Sequence, residues 1–478
     1  MKYVSTRGVA AALGFDDVLL AGLARDGGLY VPETWPTLGE AELRALAKLP
    51  YAELTARVTR PFLGGGVAED DYAGLVRDAY AAFDHEEVAP MVPLGRDEWL
   101  LELFHGPTLA FKDYALQLVG RLFEHVLTRR GARVTIVGAT SGDTGSAAIE
   151  ACRDRTAMDV FILHPKGRVS EVQRRQMTTV LSPNVHNYAI ESTFDDCQDL
   201  VKGLFADTAF RDRVGLSAFN SINWARVMAQ VSYYFWAALR LGAPDRDIAF
   251  SVPTGNFGNV YAGYVARRMG LPISRLIVGT NHNDILTRFF ETAAMEIRGV
   301  EPSLSPSMDI QVPSNFERLL YDMMGRDGAR LAALMKTFRE TGRLEVGREA
   351  LRQVRQLFAA HRLSDPETLA AIKRIYDDTG QLVDPHSAIG IAAGRACRRP
   401  EDGPLVALAT AHPAKFPDAV ERATGVRPRL PERLADLYAR EERCAVLPND
   451  LATVRARIAE DLRRRRPAGA AATKRGAA

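Results

Sequence analysis

Short apolar runs alternate with amphipathic stretches along the chain from about residue 97 onward. The apolar runs occupy residues 99–104, 134–139, 160–165, 248–254, 275–280 and 405–410. In the amphipathic stretch that begins at Lys112, apolar side chains recur at the three- and four-residue spacing of one helical face. Strand-length apolar runs followed by helical patterns predict βα units and a buried, largely parallel sheet.

The two ends of the chain have a different character. Residues 1–92 contain helical stretches broken by prolines and by the triple glycine at 64–66, and they predict a mostly helical N-terminal unit. We assign residues 93–460 to the α/β region. Residues 461–478 are basic, rich in Pro, Gly and Ala, and without a periodic apolar face, which predicts a disordered tail. An electrostatic anchor is the alternative for that tail.

Composition narrows the class of protein. The chain has 478 residues, and 61 Lys and Arg against 59 Asp and Glu leave a charge of +2, which does not favour a nucleic-acid partner. Its four cysteines are far apart and form no CxxC pair, so neither a disulfide scaffold nor a metal site is expected. We find no signal-peptide pattern and no apolar stretch of membrane-spanning length. The sequence therefore predicts a cytoplasmic protein with no membrane partner.

The motif GNFGN, residues 255–259, lies between a predicted strand and a predicted helix. Such a junction presents free backbone N–H groups and the positive end of the helix dipole, which together bind phosphate. The chain contains no GxGxxG and no GxxxxGK[ST] motif, which excludes the dinucleotide fingerprint and the P-loop. A simple tight turn remains the alternative for this motif.

The motif ATSGDTG, residues 139–145, lies at a second junction of this kind. Its hydroxyls and backbone donors suit a carboxylate or a phosphate. Ser141 does not sit in a GxSxG motif, so a nucleophilic role is weak. Capping of the following helix by Ser141, Asp143 and Thr144 is the alternative.

Lys112 follows the apolar run LAF and begins a predicted helix. Burial and the positive end of the helix would both favour the neutral amine, which can form a Schiff base with an aldehyde cofactor. A solvated lysine in the first helical turn is the alternative. Taken together, two anion sites and this lysine would meet at the carboxyl ends of one parallel sheet, an arrangement that fits pyridoxal 5′-phosphate (PLP) chemistry.

At these residues the chain resembles the threonine synthase family of PLP enzymes. The blocks that carry the resemblance are MKYVSTRG, LARDGGLYVPE, LFHGPTLAFKD, GATSGDTGSAA, SINWARVMAQ, SVPTGNFGN, SPSMDIQVPSNFERLL, VDPHSAIG and ATAHPAKFP. The resemblance implies a fold type II α/β enzyme with two interleaved three-layer domains, an active site between them, and the helical N-terminal unit. It also implies conversion of O-phospho-L-homoserine and water to L-threonine and phosphate by a monomer or homodimer.

The resemblance further implies how the cofactor is held. Lys112 would bind PLP covalently and transfer protons. Thr410 would face the pyridine nitrogen, where a hydroxyl makes the ring a weaker electron sink than an aspartate would. The residues that would bind the PLP phosphate and neighbouring ring atoms are Gly255, Asn256, Phe257, Gly258 and Asn259.

For the substrate, the resemblance implies two groups of residues. The loop that would receive the carboxylate consists of Ser141, Gly142, Asp143 and Thr144. Asn223 and Arg226 are candidates for the substrate phosphate because arginine can bind phosphate through two nitrogens. A helix cap for Asn223 and a surface position for Arg226 are the alternatives.

Several other interpretations stay open from the sequence. A PLP-dependent serine/threonine dehydratase-like lyase is the nearest alternative activity, and a catalytically silent binding protein is another. His105, His386 and His412 are acid–base candidates, with structural hydrogen bonding as the more common role for each. Nucleic-acid association through the Arg463–Arg466 run is a weaker hypothesis.

Overall fold

The computed structural model describes residues 1–465. The strands are β1 Tyr3–Ser5, β2 Tyr30–Pro32, β3 Met91–Gly95, β4 Glu98–Glu102, β5 Val134–Ala139, β6 Met158–Pro165, β7 Val185–Ile190, β8 Leu216–Ser217, β9 Ile248–Pro253, β10 Ile273–Thr280, β11 Ala294–Glu296, β12 Arg343–Glu345, β13 Phe358–Arg362, β14 Leu405–Ala409 and β15 Ala445–Leu447. The helices are α1 Phe15–Ala21, α2 Glu40–Leu46, α3 Tyr51–Thr59, α4 Glu69–Tyr80, α5 Lys112–Arg130, α6 Asp143–Cys152, α7 Glu171–Thr178, α8 Phe194–Ala206, α9 Thr208–Val214, α10 Trp224–Arg240, α11 Gly258–Arg268, α12 Ile285–Thr292, α13 Phe316–Met323, α14 Gly328–Thr341, α15 Arg348–Val354, α16 Asp365–Thr379, α17 Pro385–Cys397, α18 Pro417–Thr424 and α19 Leu451–Arg465.

The chain divides into two compact units. The first consists of Met1–Leu118 and Ser221–Leu430, and the second consists of Val119–Asn220 and the chain from Pro431 onward. Each unit has its own sheet, and the chain passes from one to the other within α5, which confirms the predicted interleaving. This division does not separate residues 1–92 from the first unit, so the boundary at residue 92 stays a prediction.

The sheet of the first unit has the strand order β13-β10-β9-β14-β4-β3. All neighbours are parallel except β3 and β4. Every residue of β9 and β14 is buried, as expected for central strands covered by helices on both faces. Helix α17 packs closely on this sheet, since a Cβ on Gly390 would meet the ring of Pro253.

The pairing of β4, β14 and β9 decides where the candidate residues of this unit lie. Because β14 is parallel to both neighbours, the carboxyl ends of the three strands reach the same edge of the sheet. The chain before Lys112 follows β4, Thr410 follows β14, and the GNFGN loop follows β9. Segments far apart in the sequence therefore meet at one edge.

The sheet of the second unit has the order β15-β7-β6-β5-β8, and its strands are all parallel. Its core includes Val137, Phe161, Tyr188 and Ile458. Residues 140–142 follow β5 and lead into α6, so the second predicted anion motif lies at the carboxyl end of a parallel strand. That strand belongs to a different sheet from β4, β14 and β9, so the prediction that both anion motifs and Lys112 lie on one parallel sheet is wrong.

The N-terminal region is mostly helical, as predicted, with α1 to α4 and the antiparallel pair β1–β2. At the other end, α19 continues to Arg465, so the first five residues of the predicted disordered tail are helical, because Val454, Ile458 and Leu462 pack into the core. The rest of that tail, from residue 466, lies outside the described residues.

Helix α10 is buried along almost its whole length. Even so, no helix between residues 1 and 465 is long and apolar enough to cross a membrane.

Candidate active site

Lys112 is the first residue of α5, and its side chain is buried at 8% exposure. Its Nζ lies 3.5 Å from the hydroxyl of Ser307 and 5.4 Å from the centre of the Phe111 ring. The alternative of a solvated lysine is therefore wrong. The amine lies inside the first unit, in contact with a segment nearly two hundred residues away in sequence.

The loop before Lys112 is fixed by buried polar contacts. The backbone N–H and hydroxyl of Thr108 donate to the two carboxylate oxygens of Asp113, at 2.8 and 2.7 Å. The fully buried Lys415 donates to the carbonyl oxygen of Thr108 at 2.7 Å. Leu109 has a φ of +62°, which costs about 1 kcal/mol for a non-glycine residue and persists only where its surroundings hold it. The position of Lys112 is thus set by several contacts.

The GNFGN loop has the properties of an anion site. Phe257, the residue before α11, takes a left-handed φ of +63° and supplies no side-chain cap, so the first N–H groups of α11 depend on another acceptor. Its ring is anchored in the core, 4.9 Å from that of Phe316. The side-chain amide and backbone N–H of Asn315 both donate to the carbonyl oxygen of Asn256 at 3.1 Å.

Asn259 provides a test of whether a phosphate fits this loop. Its Oδ1 accepts hydrogen bonds from the hydroxyls of Tyr233 and Tyr234, at 2.6 and 3.0 Å. Its Nδ2 is buried and, among residues 1–465, has no hydrogen-bond partner. A buried donor without an acceptor costs about 1–3 kcal/mol, and an anion bound at the loop would remove that cost.

Gly255 allows the GNFGN loop to lie directly against Ser307, the residue that contacts Lys112. A Cβ at this position would collide with the carbonyl oxygen of Ser307, the residue whose hydroxyl contacts Lys112. The backbone can approach this closely only at glycine. The loop and the amine therefore share one neighbour, the short 3₁₀ turn Pro306–Met308, and the residues present fit a phosphate-bearing aldehyde such as PLP.

Thr410 directly follows β14 and is buried at 6% exposure. Its carbonyl oxygen accepts a 2.9 Å hydrogen bond from the N–H of Phe111, next to the lysine. Its own N–H donates to the hydroxyl of Ser387 at 3.1 Å. The structure brings Thr410 to the same sheet edge as Lys112.

The loop at residues 141–144 belongs to the second unit. Gly142, with a φ of +138°, leaves α6 without a side-chain cap, and a Cβ there would collide with Gln173. The hydroxyl of Thr140 accepts from the N–H groups of Gly142 and Gly145, both at 2.9 Å. The carboxylate of Asp143 accepts from Gln173 at 2.8 Å, while Ser141 and Thr144 are partly exposed. The alternative from the sequence was that Ser141, Asp143 and Thr144 cap α6, whereas in the structure the cap residue is Gly142 and the first-turn N–H of Gly145 is bonded by Thr140.

The two candidates for the substrate phosphate differ. Asn223 caps α10: its Oδ1 accepts from Ala225 at 3.0 Å, and its Nδ2 donates to the carbonyl oxygen of Leu19 at 2.8 Å. The structure thus gives Asn223 the capping role named as its alternative, and its contact with the substrate stays a prediction.

Arg226, by contrast, is buried inside α10 instead of at the surface. Burial lowers its pKa to about 10, and the nearby phenol of Tyr233 opposes that shift. At neutral pH the guanidinium therefore stays positively charged although it is buried, and a buried positive charge is stabilised by an anion beside it. Because Tyr233 also donates to Asn259, Arg226 is close to the anion loop.

The histidines have structural contacts. His105 pairs with Glu102 at 2.8 Å and Asp84 at 3.4 Å. The Nδ1 of His412 accepts from the N–H of Ala414 at 3.1 Å. His386 accepts from the N–H of Ser307 at 3.3 Å through Nε2 and contacts Asp384 through Nδ1 at 2.6 Å.

Sequence reasoning did not single out Ser307, Asn315, Tyr233 or Tyr234. Ser307 and Asn315 lie in SPSMDIQVPSNFERLL, a block already noted for its resemblance but without an assigned role. The tyrosines, by contrast, stand in an apolar helix where nothing in the local pattern distinguishes them from core residues.

Comparison with known proteins agrees with this geometry. Three family models match consecutive parts of the chain: threonine synthase N terminus at residues 2–80, pyridoxal-phosphate dependent enzyme at residues 83–344, and threonine synthase, C-terminal, at residues 387–458. Threonine synthase of Pseudomonas aeruginosa is 57% identical over 98% of this chain and 100% of its own length. That of Corynebacterium glutamicum is 42% identical over 96% and 98%.

Solved structures are equally similar. PLP-bound threonine synthase from Brucella melitensis superimposes with a TM-score of 0.95 at 54% identity, over 96% of this chain and 99% of that one. The yeast enzyme gives a TM-score of 0.92 at 38% identity, over 97% and 99%. With a buried lysine beside an anion loop in a fold type II framework, this chain belongs to the threonine synthase family of PLP-dependent enzymes.

Proposed function

We propose that this enzyme converts O-phospho-L-homoserine and water to L-threonine and phosphate. One observation carries the proposal: Lys112 Nζ contacts Ser307, and the backbone of Ser307 abuts Gly255 of the anion loop. An amine and a phosphate site that share one neighbouring turn suit a cofactor with an aldehyde near one end and a phosphate at the other.

PLP, when bound, supplies an electron sink that makes the hydrogens next to the amino-acid nitrogen acidic. The N-terminus of α11 and Nδ2 of Asn259 would hold its phosphate. Lys112 would bind PLP through Nζ and would take up and return protons at that atom, which lies within reach of the Ser307 hydroxyl. Thr410 would offer a hydroxyl, not a carboxylate, to the ring nitrogen.

The substrate has two anionic groups, a phosphate and a carboxylate, and each needs a binding site on the protein. We assign its phosphate to Arg226, whose buried positive charge is the stronger for being desolvated. We assign its carboxylate to the loop from Ser141 to Thr144, through backbone N–H groups at the start of α6 and the two partly exposed hydroxyls. The carboxylate of Asp143 is held by Gln173, so this residue contributes its backbone N–H. We further propose a cytoplasmic location and a monomer or homodimer.

The test is an assay of purified holoenzyme with O-phospho-L-homoserine in which threonine, phosphate and 2-oxobutanoate are all measured. We expect threonine and phosphate in equal amounts. Release of 2-oxobutanoate as the main product, or turnover of serine or threonine alone, would instead indicate a dehydratase-like lyase.

Lys112→Ala should abolish both threonine formation and the visible absorbance of the covalently held cofactor. Lys166→Ala is the matched control, because Lys166 is an exposed lysine paired with Glu191 at 3.0 Å. A Lys112→Ala protein that still forms threonine would refute the assigned role.

A further inference from the structure

A buried aspartate connects the surroundings of Lys112 with Thr410. Asp384 is fully buried at the start of α17, and its carboxylate accepts from the backbone N–H groups of His386, at 2.9 Å, and of Ser387, at 3.1 Å. It also contacts His386 Nδ1 at 2.6 Å and accepts from the hydroxyl of Ser387. A helix cap needs only the backbone contacts, so the two side-chain contacts require another explanation.

The first side-chain contact leads to the lysine. Nε2 of His386 accepts the N–H of Ser307, so the ring proton is on Nδ1 and is donated to Asp384. The hydroxyl of Ser307 lies 3.5 Å from Lys112 Nζ. Asp384 therefore fixes the tautomer of His386, and His386 fixes the turn that contacts the amine.

The second side-chain contact leads to the opposite end of the predicted cofactor site. The hydroxyl of Ser387 donates its only proton to Asp384, which leaves its lone pairs to accept the N–H of Thr410 at 3.1 Å. All three residues of this group are at most 3% exposed. Both side-chain contacts thus depend on a group at position 384 that accepts from the His386 ring and from the Ser387 hydroxyl and donates nothing.

We propose that Asp384, His386 and Ser387 are positioning residues that hold Ser307 beside Lys112 and Thr410 at the ring-nitrogen side in one fixed geometry. The inference rests on the proposed function, since it assigns these residues to the same site. None of the three is placed in contact with the substrate. They act through Ser307 and Thr410.

The test compares two substitutions at one position. The amide of Gln in His386→Gln can still accept the N–H of Ser307, whereas His386→Leu has neither an acceptor nor a donor. In the holoenzyme we expect His386→Leu to lower kcat by about 10- to 100-fold, the range expected for one buried hydrogen bond, with a smaller change in KM. We expect His386→Gln to restore kcat to within about threefold of wild type.

A spectroscopic readout without substrate accompanies the kinetics. His386→Leu should shift the visible absorbance of the bound cofactor and lower the yield of borohydride reduction at Lys112, and His386→Gln should not. Ser387→Ala removes the hydroxyl that accepts the N–H of Thr410. It should change the spectrum while the contact of Ser307 with His386 is kept. Asp327→Ala removes an aspartate cap from α14 without touching this group and should leave spectrum and kcat unchanged.

The inference is refuted if folded His386→Leu and Ser387→Ala proteins both keep the wild-type spectrum and kcat. It is also refuted if His386→Gln is as impaired as His386→Leu. Failure of the proposed function looks different: wild type would show the bound-cofactor spectrum yet form no threonine.

Discussion

The hydroxyl of Tyr233 donates a 2.6 Å hydrogen bond to the side-chain oxygen of Asn259. This contact decides which end of the amide is left for a ligand, because an oxygen that already accepts from a phenol leaves the NH₂ group as the available donor. The phenol therefore leaves Asn259 as a hydrogen-bond donor, which suits the anion proposed for the GNFGN loop.

Tyr233→Phe should weaken PLP binding. The loss of one buried hydrogen bond, about 1 kcal/mol, corresponds to roughly a fivefold higher Kd, and the double variant with Tyr234→Phe should show a larger effect. Titration of the apoenzyme with PLP, followed by cofactor absorbance, measures this. Tyr72→Phe is the control, because Tyr72 is an equally buried tyrosine that shares a 2.6 Å hydrogen bond with Thr59. Unchanged affinity in the double variant would contradict this role of the tyrosines.

Gly255→Ala should disrupt the shared turn. The added methyl group would collide with the carbonyl oxygen of Ser307, so either the anion loop or the turn beside Lys112 must move. We expect at least a tenfold loss in PLP affinity and a comparable loss in kcat. Gly347→Ala, at an exposed glycine where a Cβ meets nothing within 4 Å, should change neither. A Gly255→Ala enzyme with wild-type values would show that the close approach is unimportant.

Arg226→Met should mainly affect use of the phosphorylated substrate. If the guanidinium binds the substrate phosphate in its buried setting, kcat/KM should fall by about 30- to 1,000-fold, or roughly 2–4 kcal/mol, while PLP affinity changes less than about threefold. Arg240→Met, at the exposed end of the same helix, is the control. The opposite pattern, with lost PLP affinity and normal kcat/KM at saturating PLP, would assign Arg226 to the cofactor phosphate.

His412 should make the protein sensitive to mild acid. Burial, with His105 nearby, lowers the pKa of His412 to about 4, below its usual value of 6.5. The unfolded chain then binds a proton that the folded protein excludes, so stability is lost as the pH falls from about 6.5 to 4, by at most about 3 kcal/mol.

His412→Asn keeps an acceptor for the N–H of Ala414 and cannot titrate, so it should lose less stability over that range. Thermal unfolding at pH 7 and pH 4.5 compares the two proteins. His186, whose pKa burial also lowers to about 4, provides an internal reference that the substitution leaves in place. Identical losses in both proteins would exclude His412 as the acid-sensitive group.

Local patterns in the sequence were enough to predict the class of fold and several residues of the candidate site. The alternation of apolar runs and amphipathic stretches predicted parallel βα units, since burial on both faces makes such strands continuously apolar. Lys112 and the GNFGN loop were predicted as site residues because each lies within a short motif at a strand-to-helix junction. The tail, predicted to begin at residue 461, was predicted less well. Its composition suggested disorder, but α19 continues to Arg465 because its apolar side chains pack on the core of the second unit.

What the sequence by itself determined was therefore the class of fold, the family and the residues whose chemistry is local. Only the tertiary structure decided which distant residues support them: Ser307 lies 195 positions from Lys112, and Asn223 proved to be a helix cap. The physical reason is the strand order, which inserts β14 between β4 and β9 and so brings three separate carboxyl ends to one edge. Contacts made across that edge depend on the whole sheet, and no local pattern encodes them.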